Sequence, residues 1–230
     1  DYLAPPEDRP YTIGYIREAI DSPGLDPDVR ATVLEWMDRI RAAGHHLKEV
    51  HFPYLDHVVP CYYVLTTAEA SSNLSRFDGV RYGYRSASPE TLEELYVRSR
   101  TEGFGPEVKK RIMLGSFVLS SGYYDAYYNQ AMKVRRLIRS HTEQLLEECD
   151  FLLTPTSPTP AFRLGEKSDD PIAMFLSDIY TVHANLAGVP AISLPVGQTP
   201  AGLPIGIQFM GRHFEEDRLF AFSRKLTQEI

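Results

Sequence analysis

Short apolar runs alternate with amphipathic stretches along the chain. Tyr11-Thr12-Ile13-Gly14-Tyr15-Ile16 reads as a strand. Asp26 then caps a helix opened by Pro27. Val29, Val33, Trp36, Met37, Ile40 and Ala43 follow at helical spacing, and Gly44 closes the helix. A second strand is expected around residues 47–52, and the order strand, helix, strand favours a mixed or parallel sheet in an α/β layer. The middle of the chain reads as helices near 60–74, 89–102, 106–119 and 123–147. Phe151-Leu152-Leu153-Thr154 is a buried-strand candidate, stopped by a stiff loop containing Pro155, Pro158 and Pro160. A helix over about 171–187, strands at 191–196 and 205–210 joined by a turn at 199–204, and an amphipathic helix from near Glu215 complete the pattern. With no internal repeat or low-complexity tract, one domain over residues 1–230 is expected.

The 230 residues are 43% hydrophobic, enough for one sizeable core. Gly115, Ser120, Pro190 and Pro195 interrupt the longer apolar runs, so no segment approaches the ~18 residues of a membrane helix. Asp1 is followed by no charged-then-apolar leader, so neither a signal nor a transit peptide is expected in these residues. Cys61 and Cys149 lie far apart without a CxxC pair, which fits reduced structural thiols and a cytoplasmic setting. A net charge of -7 offers no broad basic field for a phosphate backbone.

Candidate chemistry concentrates in three places. The run from Cys61 to Arg85, CYYVLTTAEASSNLSRFDGVRYGYR, mixes apolar and polar positions in a way that packing alone would not choose. Ala68, Ala70, Ser71, Ser72 and Ser75 keep one helix face small enough for another backbone or a ligand to approach, and Asp78-Gly79 supplies a tight turn. Arg76, Arg81 and Arg85 crowd around aromatic rings; the run reads either as a binding loop or as a helix ending in a turn with a solvated basic edge. Arg111 heads the apolar run Ile112 to Leu119. Guanidinium suits an inward position better than the neighbouring Lys109 or Lys110, although a solvated basic helix start is the alternative. Asp178 sits in a helix apolar on nearly every side, so burial is expected. It would then cap a neighbouring loop, meet an internal Arg or serve a ligand, because an unpaired buried charge costs several kcal/mol.

Two other motifs carry little. His45, His46, His51 and His57 match no helical i, i+4 pair or zinc spacing, and surface histidines beside a strand explain them; no metal site is expected. Ser120-Ser121-Gly122 runs straight into Tyr123-Tyr124 and reads as a helix junction.

The Cys61–Arg85 run, RIMLGSFVLSSGYYDAYY from Arg111, NLAGVPAISLPVG from Asn185 and GLPIGIQFMG from Gly202 together resemble the C-terminal half of an amidase-signature enzyme. Within that family they are most similar to the amidase subunits of aspartyl/glutamyl-tRNA amidotransferases. The resemblance implies the C-terminal part of an α/β/α layered fold with a mixed central sheet. By motif it assigns glutamine binding to Tyr62, Arg111 and Asp178: Arg for the α-carboxylate, a carboxylate for the α-ammonium, and a hydroxyl. The family's catalytic Lys and two Ser match nothing here, so no catalytic residue is expected in this chain and, alone, it is expected to be inactive. The implied whole enzyme hydrolyses glutamine through an acyl-serine and passes ammonia to Glu-tRNA or Asp-tRNA. The implied partners are amidotransferase subunits B and C. ATP and Mg belong to the partner that activates tRNA, and tRNA is reached through the complex. The alternatives are a fragment of a stand-alone small-amide amidase, in which Arg111 and Asp178 would be expected to be apolar, and a non-catalytic scaffold module.

Overall fold

The computed structural model describes residues 5–166 and 171–229. In chain order its elements are β1 (Thr12–Ile16), α1 (Arg17–Ile20), α2 (Pro27–Ala42), β2 (His46–Val50), α3 (Leu55–Leu74), α4 (Leu92–Gly103) and α5 (Pro106–Val118). A π-helix (Tyr124–Asn129) leads into α6 (Gln130–Glu148), followed by β3 (Phe151–Pro155), α7 (Pro171–Leu176), α8 (Ile179–Ala187), β4 (Ala191–Gln198), β5 (Pro204–Met210) and α9 (Glu216–Glu229). The chain divides into two compact units: residues up to Val59 together with those from Arg135, and Pro60–Val134.

The first unit holds the five-stranded sheet, ordered β2-β1-β3-β5-β4. β1 runs parallel to β2 and β3, whereas β5 runs antiparallel to β3 and β4, so the sheet is mixed as the strand order predicts. Every residue of β3 is buried, because a central strand covered on both faces loses the alternation of a half-exposed one. Phe222 of α9 stacks on Phe151 at 4.2 Å and meets Phe209 edge-on at 5.1 Å. Gln208, next to Phe209 on β5, points to the opposite face and bonds α8, so helices cover both sides. α2 starts as its sequence dictates: Asp26 Oδ1 accepts from the amides of Asp28 and Val29 at 2.9 and 3.4 Å, and Pro27 fills the first position. It ends where Gly44 takes φ +88°, and Trp36 Nε1 ties it to the Val196 carbonyl. Asp150 locks the start of β3 by accepting from Arg9, Arg218 and the Thr12 amide. These partners outweigh the effect of burial and hold its carboxyl down at about 2.

The second unit is helical. Its defining contact is between α3 and α5 at Gly115, where a Cβ would lie 1.9 Å from the Thr67 carbonyl oxygen and 2.6 Å from Ser71 Cβ. The small face that the sequence predicts on α3 thus receives another backbone. Ser71 and Ser116 hydroxyls pair at 3.0 Å beside it. The Asp78-Gly79 turn forms as expected: Asp78 Oδ1 accepts from the Val80 and Arg81 amides, and Gly79 takes φ +79° against Ser99.

Three expectations change. α3 begins at Leu55 rather than near 60, with Pro60 accommodated inside it. The helix expected from Tyr123 opens as a π-helix. The helix expected over 171–187 is two, broken at Ser177-Asp178, a pair of short polar side chains that favours turns over helix interiors.

Candidate functional site

Tyr62 lies on α3 and Arg111 on α5, and the structure brings their neighbourhoods together. The two helices advance in the same sense through their contact: Arg111 lies over the Tyr63 ring, at 5.9 Å, four residues before Gly115 meets Thr67. Arg111 Nε donates to Glu107 Oε1 at 3.0 Å, one turn earlier on the same helix. Burial opposes the guanidinium charge. The Glu107 carboxylate and then the Tyr62 hydroxyl, both hydrogen-bonding to Arg111, outweigh it and hold the group above its ordinary range. The expected inward position is realised only partly, since the side chain is 32% exposed and held at its edge by Glu107. The outcome is a fixed cation beside a half-buried phenol, with donors left on its open side. That arrangement suits a carboxylate ligand.

Asp178 belongs to the sheet-bearing unit and is exposed, which corrects the expected burial. Met174 and Leu176 of α7 are exposed too, and only the run after the break, with Tyr180, Val182, His183, Ala184, Leu186 and Ala187, enters the core. Asp178 takes the N-cap position of α8 without a side-chain capping bond. Its carbonyl accepts from the Val182 amide at 2.9 Å and the Thr181 hydroxyl at 3.1 Å. Its backbone is therefore anchored while its carboxylate faces outward.

The histidines divide. His46, His51 and His57 are exposed, but His45 is buried against Tyr11 and Phe222, correcting the surface reading for that residue. Among the described residues no group of three or more His, Cys, Asp or Glu side chains is arranged to hold a metal. Ser120 closes the turn after α5, with its hydroxyl donating to the Phe117 carbonyl at 2.7 Å. Both cysteines are buried and neither is in a disulfide; Cys61 Sγ donates to the Ala131 carbonyl at 3.3 Å.

The sequence reading missed a cavity of about 390 Å³ in the sheet-bearing unit, past the end of β3. Thr156, Ser193 and Gly206 meet there, with Pro160, Phe162 and Val29 among its walls. Thr156 Oγ1 and Ser193 Oγ lie 2.6 Å apart, and a Cβ on Gly206 would come within 3.0 and 3.1 Å of them. The signal was present in the Pro-Thr-Ser-Pro loop, but the partner Ser193 is 37 residues away and only strand register reveals it.

The chain matches the family described as Amidase over residues 3–220. It is 50% identical over 209 residues to the A subunit of the glutamyl-tRNA(Gln) amidotransferase of Syntrophus aciditrophicus, covering 91% of this chain and 43% of that protein. It is 51% identical over 231 residues to the protein of the same name from Azotobacter vinelandii, covering 99% and 47%. The chain thus spans less than half the length of these relatives. Among solved structures it resembles the A subunit of the Thermotoga maritima glutamyl-tRNA(Gln) amidotransferase, with a TM-score of 0.68 and 37% identity, covering 92% of this chain and 40% of that one. A 6-aminohexanoate cyclic dimer hydrolase shares the fold at a TM-score of 0.73 and 20% identity, covering 96% of this chain and 45% of that one.

Proposed function

This chain belongs to the amidase signature family, and from that premise we propose that it is the glutamine-gripping part of the glutaminase component of a glutamyl-tRNA(Gln) amidotransferase. The observation that carries the reading is Arg111, set by the Gly115 contact beside Tyr62 and Tyr63 with part of its guanidinium open. Free glutamine carries a carboxylate and an ammonium on one carbon, and an enzyme selecting it over simple amides needs a fixed cation for the first and an anion for the second. Arg111 with Tyr62 takes the α-carboxylate in this reading, and Asp178 takes the α-ammonium. Acyl transfer itself rests on a Lys and two Ser outside the matched motifs, so the isolated chain releases no ammonia from glutamine. The whole enzyme works in the cytoplasm. Of its two partner proteins, the larger activates Glu-tRNA with ATP and Mg and the smaller holds the assembly together, so tRNA is met through the complex.

The test is Arg111→Ala in the assembled enzyme, with glutamine and free ammonia compared as nitrogen donors. Loss of a charge-assisted pair worth about 1.5 to 3 kcal/mol lowers kcat/KM for glutamine about tenfold to a hundredfold, while ammonia-dependent synthesis holds. Equal losses with both donors would assign Arg111 to folding or assembly instead.

A further inference from the structure

Gln208 is the one polar residue in a stretch of β5 whose other members, Ile205, Ile207, Phe209 and Met210, are buried apolar side chains, and it is itself only 4% exposed. A polar group in such a place is costly unless its hydrogen bonds are made. Both amide hydrogens are used: Nε2 donates to Thr154 Oγ1 at 3.2 Å and to the Tyr180 carbonyl at 3.1 Å. Tyr180 lies in the first turn of α8, two residues after Asp178, and is itself 1% exposed. Its hydroxyl donates to the Ala19 carbonyl at 3.0 Å, so the same turn is held from α1 as well as from the sheet. An apolar side chain of Gln208's size would fill this space. What the amide adds is direction, because two donors aimed at a strand hydroxyl and a helix carbonyl set the height and rotation of the α8 turn. The Asp178 backbone follows that turn through its bonds to Val182 and Thr181. Its carboxylate has no capping bond of its own to hold it.

We infer that Gln208 is a positioning residue for glutamine recognition: through Tyr180 it fixes the first turn of α8 and thereby aims Asp178. This rests on the reading of Asp178 as the ammonium-binding group.

The experiment uses the assembled amidotransferase and four forms of this chain: unchanged, Gln208→Met, Tyr180→Phe and Asp178→Asn. Met keeps the volume of Gln208 and removes both donors; Phe keeps the Tyr180 ring and removes the second tether, which supplies a variant should the first fail to accumulate. Displacement of a binding group by a fraction of an ångström up to an ångström is expected to raise the KM for glutamine about tenfold in Gln208→Met. A smaller rise is expected in Tyr180→Phe, with kcat at saturating glutamine and ammonia-dependent synthesis unchanged in both. An unchanged KM in both variants, while Asp178→Asn raises it, overturns the inference and leaves the reading of Asp178 standing. A parallel fall in glutamine- and ammonia-dependent synthesis also overturns it, since a role in folding alone would do that. An unchanged KM in Asp178→Asn removes the reading itself, and this inference with it.

Discussion

In the sheet-bearing unit Phe151, Phe209 and Phe222 lie against one another with almost no surface left open. In the helical unit Met113, Phe117 and Tyr123, side chains of similar size, are exposed, Met113 at 73% and the two rings at 44%. The two units are therefore held by different means. The first uses apolar burial, with interior polar groups such as Gln208 and Thr154 paired through the sheet or into α8. The second buries aliphatic side chains such as Leu65, Leu95 and Val118 but, among its described residues, no large ring, and adds a backbone-close helix crossing at Gly115, hydroxyl pairs such as Ser71 with Ser116, and side-chain caps such as Thr91 on the Glu94 amide. Hydroxyl pairs and caps contribute about 0.5 to 2 kcal/mol apiece, whereas filling a core ring contributes several. Tyr62 and Arg111, the residues proposed to hold the glutamine carboxylate, stand on the helical unit.

The largest test of that contrast is Phe222→Ala. Removing a ring that touches Tyr11, Phe151 and Phe209 leaves a cavity between α9 and the sheet, and the expected loss is about 3 to 5 kcal/mol of unfolding free energy. Trp36 is the sole tryptophan and sits in the sheet-bearing unit, so its fluorescence in a denaturant titration follows that unit. If the transition followed by Trp36 stayed where it was, the packing contrast would not be the source of stability.

Acid should separate the units next. His183 is fully buried, stacked at 4.1 Å on Phe52. Thr142 Oγ1 already donates to the Ile138 carbonyl, so the His183 Nε2, 2.8 Å away, must be the donor to Thr142, and Nδ1 is left bare, with no hydrogen-bond partner among the described residues. Burial, with a further contribution from His141, pushes this imidazole down to about 3. The unfolded chain takes up the proton near the ordinary value of about 6.5, so below that pH the unfolded state binds more protons. Stability from His183 is complete above pH ~6.5 and falls by about 1.4 kcal/mol per pH unit as acid is added, or about 2 to 3 kcal/mol by pH 4.5. Asp150, held at about 2, acts in the same direction lower down, its contribution fading as pH drops from ~4. His183→Gln should flatten the slope between pH 6.5 and 4.5 as read by Trp36; an unaltered slope would place its origin elsewhere.

Much of the sheet-bearing unit was legible because its signals are local: Asp26-Pro27 and Gly44 bracket α2, and the apolar runs of β3 and β5 announce burial. The helical unit was less so. An α3–α5 crossing through Gly115 depends on residues nearly fifty positions apart, and the small face of α3 said that something approaches without saying what. At the candidate site the side-chain types were readable and their surroundings were not. Asp178 was expected inside because the residues around it are apolar, yet Ser177-Asp178 breaks the helix and Met174 and Leu176 before it lie exposed. Gln208 and Thr154 gave no sequence signal as a pair, since only the antiparallel register of β3 and β5 puts them side by side.

Within the helical unit the expected effects are smaller and local. Gly115→Ala places a methyl against the Thr67 carbonyl oxygen and Ser71, atoms that cannot rotate away, so α3 and α5 must part. The expected loss is about 1 to 3 kcal/mol, seen in far-ultraviolet circular dichroism while the Trp36 transition is unmoved. It should also weaken glutamine use, because Arg111 is one turn from the crossing. A shift of the Trp36 transition by the same amount would mean that the units unfold as one.

The smallest effect sharpens the contrast most. Phe117 rests on Tyr123 at 4.2 Å and near Tyr127 at 5.9 Å, an aromatic group that would count as core if it were covered, yet all three residues are 44% exposed. A ring with nearly half its surface open gains less from folding than a covered one, since water still reaches much of it in both states. Phe117→Ser should therefore change unfolding free energy by no more than about 0.5 kcal/mol. Phe222→Ala and Phe117→Ser each remove an aromatic ring of the same chemistry, and only the second leaves no cavity behind. A loss in Phe117→Ser comparable to that of Phe222→Ala would show the helical unit to be organised around an aromatic core of its own, and the contrast between the two units would fail.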